Sequence, residues 1–478
     1  MDETGPPSEP ELDSDLDLAG LKARLKGRVV TPSDGDFEEV ALGGQWNRLR
    51  PSRAPQVIAR VVDEQDVVEA VRFANANQLK VAVRGGGHSW VSAALRAGGV
   101  MIDLTDLDQV VSIDPERRTA VSQPIVTNRE LQAALNAQGL AYPTGHCPDV
   151  KLSGYLLSGG MAWNQGGWGP GCASVEAIEL VTPAGELITA SADENPDYFW
   201  AARGAGSGLF AVALRYHLRL YPLPRAIWAS SYHYAMEQAE QVADWLGAIA
   251  GEISNRVELT LFLLHAPPEL ASRCQSANGK VCLITATAFA DSQEEARSAL
   301  EPLENCPVAE PLAQSAPEPT DFPALFALSG SMWPEARRNW VDAMFFDSTP
   351  AQLLHATGQH FIEAPSETTL MLFTIFTGPD VPAPLPDAAF SMSARIYGGP
   401  WTMWSEASED RSNLDWHAKC VELLKPLAVG HYIGESDTVG HPEYAEGAFS
   451  PANWKRLEEL REKYDADGVF FGYREGLD

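Results

Sequence analysis

Three consecutive glycines close an apolar run. Lys80-Val-Ala-Val-Arg84 leads directly into Gly85-Gly86-Gly87-His88-Ser89. A strand that stops in such a triplet must turn at once, and the turn has no side chains to shield its backbone. Bare N–H groups can then close on an anion such as a phosphate. The pattern is not GxGxxG, and no Lys-Ser/Thr follows as in a P-loop, so a tight turn without a ligand reads the triplet equally well. His88 favours the binding reading, because it sets a nucleophilic imidazole against the turn.

The surrounding pattern is that of a mixed α/β chain. Strands are expected over 57–62, 80–84 and 100–104, with a helix over 63–77 between the first two. A hairpin is expected over 110–123, a helix over 128–138, and two strands over 173–190 joined at Pro183-Ala184-Gly185-Glu186. Alternating and apolar strands recur at 228–234, 258–264, 281–289, 368–376 and 391–404. Helices are expected over 236–250, 292–303, 410–427 and 453–464. The proline-rich stretch 306–334 reads as a long loop. With 478 residues the chain exceeds one ordinary core, and two domains are expected. Residues 1–14, charged and proline-rich, read as a disordered tail, followed by a short amphipathic helix over 15–27.

The formal net charge of −30 repels phosphate backbones and anionic lipid, so nucleic acid and membranes are not expected partners. No signal peptide and no apolar run of 18 residues occurs, and a cytoplasmic location is the expectation. Six cysteines show neither a disulfide framework nor a CxxC pattern, and the histidines outside the two glycine-rich segments lack metal-ligand spacing, so no metal is expected.

A second glycine-rich segment runs Gly145-His146-Cys147-Pro148 to Gly154, Ser158, Gly159 and Gly160. Its cysteine stands in a loop beside a histidine, where a reactive thiol is more plausible than in a core. Further on come Asn195-Pro-Asp-Tyr-Phe-Trp-Ala-Ala-Arg-Gly-Ala-Gly206, Asn453-Trp-Lys-Arg-Leu457 and Lys463-Tyr-Asp465. Together these motifs resemble the berberine bridge enzyme-like branch of the vanillyl-alcohol oxidase/p-cresol methylhydroxylase flavoprotein superfamily. The resemblance covers about residues 50–225 and 400 to the C-terminus. The middle of the chain matches only in its strand pattern.

The resemblance implies an α+β fold. It has a two-part FAD-binding domain (36–225 and 420–478), preceded by the tail and helix of 1–35, and a substrate domain (226–419) with an antiparallel sheet covered by helices. It implies covalent FAD, with His88 on the flavin 8α-methyl and Cys147 on flavin C6. Arg84, Gly85, Gly86, Gly87 and Ser89, with Gly154, Ser158, Gly159 and Gly160, would hold the cofactor. Val150, three residues after the cysteine, stands where valine in the family accompanies use of O2. Lys151 replaces a usual glycine and reads as solvent-facing.

The family's tyrosine pair is absent: Trp90 and Glu435 stand in its place. Glu435 is the expected catalytic base, because burial beside a flavin can raise a carboxyl toward neutrality. Tyr397 and His431 are the next candidates. Trp90 and Trp401 are expected to line the substrate site and favour a ring-bearing molecule. The implied activity is oxidation of a C–OH or C–N centre of a moderately bulky organic substrate, with O2 as electron acceptor and H2O2 as product. A dehydrogenase, a ring-forming biosynthetic oxidase and a non-catalytic flavin-binding protein remain open.

Overall fold

The computed structural model describes residues 16–334 and 337–477. The tail expected over 1–14 lies outside the described residues. The first layer is a four-stranded sheet in the order Arg28–Val30, Val57–Arg60, Val100–Asp103, Val81–Arg84. Its last three strands are parallel. A parallel pair needs a crossover, and the helix Glu64–Ala76 provides it between Val57–Arg60 and Val81–Arg84. Asp63 caps that helix by accepting from the Asp66 N–H. The helix buries Val67, Val71, Phe73 and Ala74 on one side.

A five-stranded antiparallel sheet follows, in the order Val110–Asp114, Thr119–Ser122, Val212–Arg219, Val175–Val181, Leu187–Ser191. Leu209–Leu214 and Trp200–Ala202 join both sheets in one core.

The third layer is a nine-stranded antiparallel sheet. Its strands alternate between two environments, as a pleat requires. Along Val257–His265, Leu259, Leu261 and Leu263 enter a core with the helices Ala239–Ile249, Pro350–Ile362 and Asp410–Leu424. Glu258, Thr260 and Phe262 point the other way, into a cavity.

Two expectations need correction. Residues 306–334 are not one long loop, for they contain the strand Ala313–Thr320 and the helix Phe322–Met332. The strand carries Pro317 and Pro319, yet among the described residues it pairs only with Ala226–Ala235, so it is an edge where missing N–H groups cost little. The helix starts with Asp321 accepting from the Ala324 N–H, and its proline sits in the first turn, where it is tolerated. Second, the helix Asp410–Leu424 runs through residue 420, and the strand Ala428–His431 pairs with Met344–Phe346 of the large sheet. The large-sheet layer therefore extends past the boundary drawn at 419. The helix Pro350–Ile362 is unforeseen, although Thr349 and Gln352 form a capping box around it.

Candidate active site

The three layers enclose a cavity of about 680 Å³. One wall is the glycine turn. Gly87 has φ +69°, and a Cβ there would fall 2.0 Å from the Gly44 carbonyl, so only glycine fits. The Trp46 N–H donates to the Gly87 carbonyl at 3.1 Å, and the Trp46 ring stacks on His88 at 5.9 Å. The N–H groups of Gly86, Gly87, His88 and Ser89 have no acceptor among the described residues. Burial pushes the His88 imidazole down to about 4, aided by the Lys151 ammonium. It is therefore neutral at pH 7 and keeps a nucleophilic lone pair.

Cys147 and Val150 line the same cavity. Burial pushes the Cys147 thiol up. Lys151 does not simply face solvent. Its Cγ lies 1.9 Å from where a Gly86 Cβ would stand, so its stem lies across the glycine turn.

The opposite wall comes from the large sheet and the segment after it. Glu435 is partly open to the cavity and otherwise enclosed by protein. Desolvation raises its carboxyl from 4.5 to about 7, against the opposing effects of the Tyr397 hydroxyl and the His146 ring. The Tyr397 hydroxyl donates to Glu435 Oε2. The Glu435 segment is fixed by backbone bonds: Ala343 N–H donates to the Glu435 carbonyl at 2.8 Å, and Tyr432 N–H to the Ala343 carbonyl at 2.9 Å. Trp90 meets Trp46 edge-on at 5.1 Å, and Trp401 is buried; both line the cavity.

The family model described as "FAD binding domain" matches residues 55–191, which contain both glycine-rich segments. The FAD-linked oxidoreductase nodO of Hypoxylon pulicicidum is 29% identical over 414 residues, covering 86% of this chain and 90% of that protein. Among solved structures, 6-hydroxy-D-nicotine oxidase from Arthrobacter nicotinovorans has a TM-score of 0.79 at 21% identity, covering 98% of this chain and 100% of that one. Berberine bridge enzyme from Eschscholzia californica has a TM-score of 0.79 at 18% identity, covering 96% and 98%. The chain is an FAD-linked oxidoreductase: residues 55–191 match an FAD binding domain, and nearly the whole chain is similar to FAD-linked oxidoreductases.

FAD fits the cavity of this oxidoreductase on chemical grounds. The glycine turn offers unpaired N–H groups to phosphate oxygens. Further in, the buried side-chain amides of Gln45 and Asn164, Asn128 Oδ1 and Trp163 Nε1 line the cavity without a hydrogen-bond partner among the described residues. Buried polar atoms are rarely left so, and a ligand rich in donors and acceptors would satisfy them.

Of the residues expected to hold FAD, Gly85, Gly86, Gly87, His88, Ser89, Cys147, Val150, Gly154 and Ser158 line the cavity. Three do not. Arg84 is buried in an ion pair with Asp103 at 2.7 Å and donates to the Val40 and Ala41 carbonyls, so it anchors the root of the turn instead. Gly159 donates to the Leu156 carbonyl and Gly160 to the Tyr432 hydroxyl, so neither N–H is free for a phosphate. Of the catalytic candidates, Glu435 and Tyr397 meet each other. His431 lies off the cavity, stacked on Tyr444 at 3.9 Å, and burial pushes it down to about 4.

The sequence reading missed two features of the oxidoreductase. Ser231, Thr285, Thr260, Thr374 and Tyr397 stand side by side on five adjacent strands, forming a row of hydroxyls on the cavity floor. Thr260 and Thr374 hydroxyls are 3.3 Å apart. The other feature is His146, whose Nε2 lies 2.6 Å from Glu258 Oε1. The alternation of Glu258 and Thr260 with leucines was the available signal for the first. Nothing in sequence joins residues 146 and 258.

Proposed function

We propose that this flavoprotein is an oxidase. It would remove a hydride equivalent and a proton from a C–OH or C–N centre of a moderately bulky organic substrate and return the electrons to O2 as H2O2. The observation that carries the reading is Glu435: a carboxyl raised to about 7, on the cavity wall, hydrogen-bonded by Tyr397. A general base works best with a pKa near the working pH. FAD, when bound, supplies the two-electron acceptor.

The protein's own residues divide the remaining work. Glu435 takes the hydroxyl or amine proton at a carboxylate oxygen, and Tyr397 orients that carboxylate. Trp90 and Trp401 offer ring faces to the substrate and exclude water. His88, neutral and rigidly stacked, is the residue we assign to covalent attachment at the flavin 8α-methyl. Cys147 is assigned to C6, although the protein alone does not activate its thiol, since burial holds it protonated. Val150 is assigned to the O2 approach, and the strands within 226–419 to substrate selectivity.

The test combines mass and turnover. The acid-denatured protein should retain one FAD, with flavin on the His88 peptide and on the Cys147 peptide. Aerobic turnover should release one H2O2 per substrate oxidised. Free flavin after denaturation would refute the covalent assignment, and reoxidation by O2 too slow to support turnover would refute the oxidase.

A further inference from the structure

The pair His146 and Glu258 has no role in the proton transfer assigned to Glu435, yet it is built as a site. Both side chains line the cavity, 31% and 11% exposed. His146 Nε2 meets Glu258 Oε1 at 2.6 Å, and Glu258 Oε2 accepts from the Asn164 N–H at 3.3 Å. The imidazole packs on the Trp163 indole at 4.2 Å, and the His146 carbonyl accepts from the Ser329 hydroxyl at 2.7 Å. Ring and backbone are both held. The short contact to Glu258 Oε1 makes Nε2 the donor nitrogen, and in a neutral imidazole the other nitrogen, Nδ1, is then the acceptor. No described residue donates to that Nδ1.

We propose that His146 Nδ1 accepts a hydrogen bond from a second protic group of the substrate, a hydroxyl or amine apart from the centre that is oxidised. Glu258 is the positioning residue that sets the tautomer. The proposal rests on reading this cavity as the oxidation site. It places the substrates among ring-bearing molecules with two donor groups, one for Glu435 and one for His146. A molecule lacking the second donor leaves a desolvated acceptor behind, which a polar site discriminates against strongly.

The test uses FAD-loaded protein without O2. Benzyl alcohol is compared with 3- and 4-hydroxybenzyl alcohol, and Kd is read from the perturbation of flavin absorbance. Flavin content of each variant is checked first. At least one hydroxylated probe should bind wild type about tenfold or more tighter than benzyl alcohol. His146→Phe should erase the preference by weakening the hydroxylated probe alone. His146→Asn, whose Oδ1 lies near the Nδ1 position, should keep most of it. Glu258→Gln should reduce it about threefold or more, and it serves as the second variant if His146→Phe fails to load FAD. Equal affinities in wild type, no perturbation by any probe, or a preference that survives His146→Phe and Glu258→Gln would overturn the proposal. The readout needs no turnover, so it is separable from the role of Glu435. A Glu435→Gln variant that reduces its flavin normally would sink the base assignment and leave the two-donor preference standing.

Discussion

The two walls of the cavity offer different kinds of groups to a ligand. The glycine turn offers backbone: four adjacent N–H groups, from Gly86 to Ser89, with no acceptor among the described residues. The sheet wall works through side chains drawn from many strands, with Tyr397 against Glu435, Thr260 beside Thr374, and His146 on Glu258. A backbone site needs glycine at fixed places and suits one constant ligand. A side-chain site changes with any exchange on a strand and suits a variable one. The proposed function divides cofactor and substrate between the walls accordingly.

The comparison predicts separable losses. The largest is expected for Glu435→Gln, which should slow anaerobic flavin reduction about 10³-fold while FAD content stays that of wild type. The same change should stabilise the fold above neutral pH. Because the folded carboxyl is raised from 4.5 to about 7, the folded state holds its proton longer than the unfolded chain, and stability falls as pH rises between those values. Thermal unfolding at pH 8 should show Glu435→Gln more stable by up to about 3 kcal/mol, with no gain at pH 4. Equal stability at both would mean the carboxyl is not desolvated.

Next in size, Gly87→Ala should reduce FAD loading about tenfold or more, because the new Cβ would fall 2.0 Å from the Gly44 carbonyl and displace the turn. Flavin content per protein, read from absorbance, checks it. Normal loading would break the claim that the backbone wall holds the cofactor. The smallest effect is expected for Thr260→Val. It should leave FAD content unchanged and alter KM about threefold, since it removes one hydroxyl from the floor. A loss of FAD in that variant would blur the division between the walls.

The same division explains what could be read from sequence. The glycine triplet, His88 and Cys147 are local patterns, and each falls on the cavity wall. Glu435 was reachable because it occupies a motif position. Arg84, Gly159 and Gly160 belong to the same motifs but do not line the cavity: Arg84 anchors the root of the glycine turn, and Gly159 and Gly160 donate to Leu156 and Tyr432, a distinction that sequence does not make. The hydroxyl row and the pairing of His146 with Glu258 depend on strand register and on contacts 112 residues apart. The strand Ala313–Thr320 was hidden by its prolines, which only an edge position tolerates.

The most direct test of the account is the pH dependence of anaerobic flavin reduction in the wild-type protein at saturating substrate. Glu435 must be ionised to act, and its carboxyl is raised to about 7. The rate should therefore be constant above about pH 8 and fall about tenfold per unit well below 7. A rate that stays level from pH 5 to pH 9 would contradict Glu435 as the base and with it the chemistry assigned to the sheet wall.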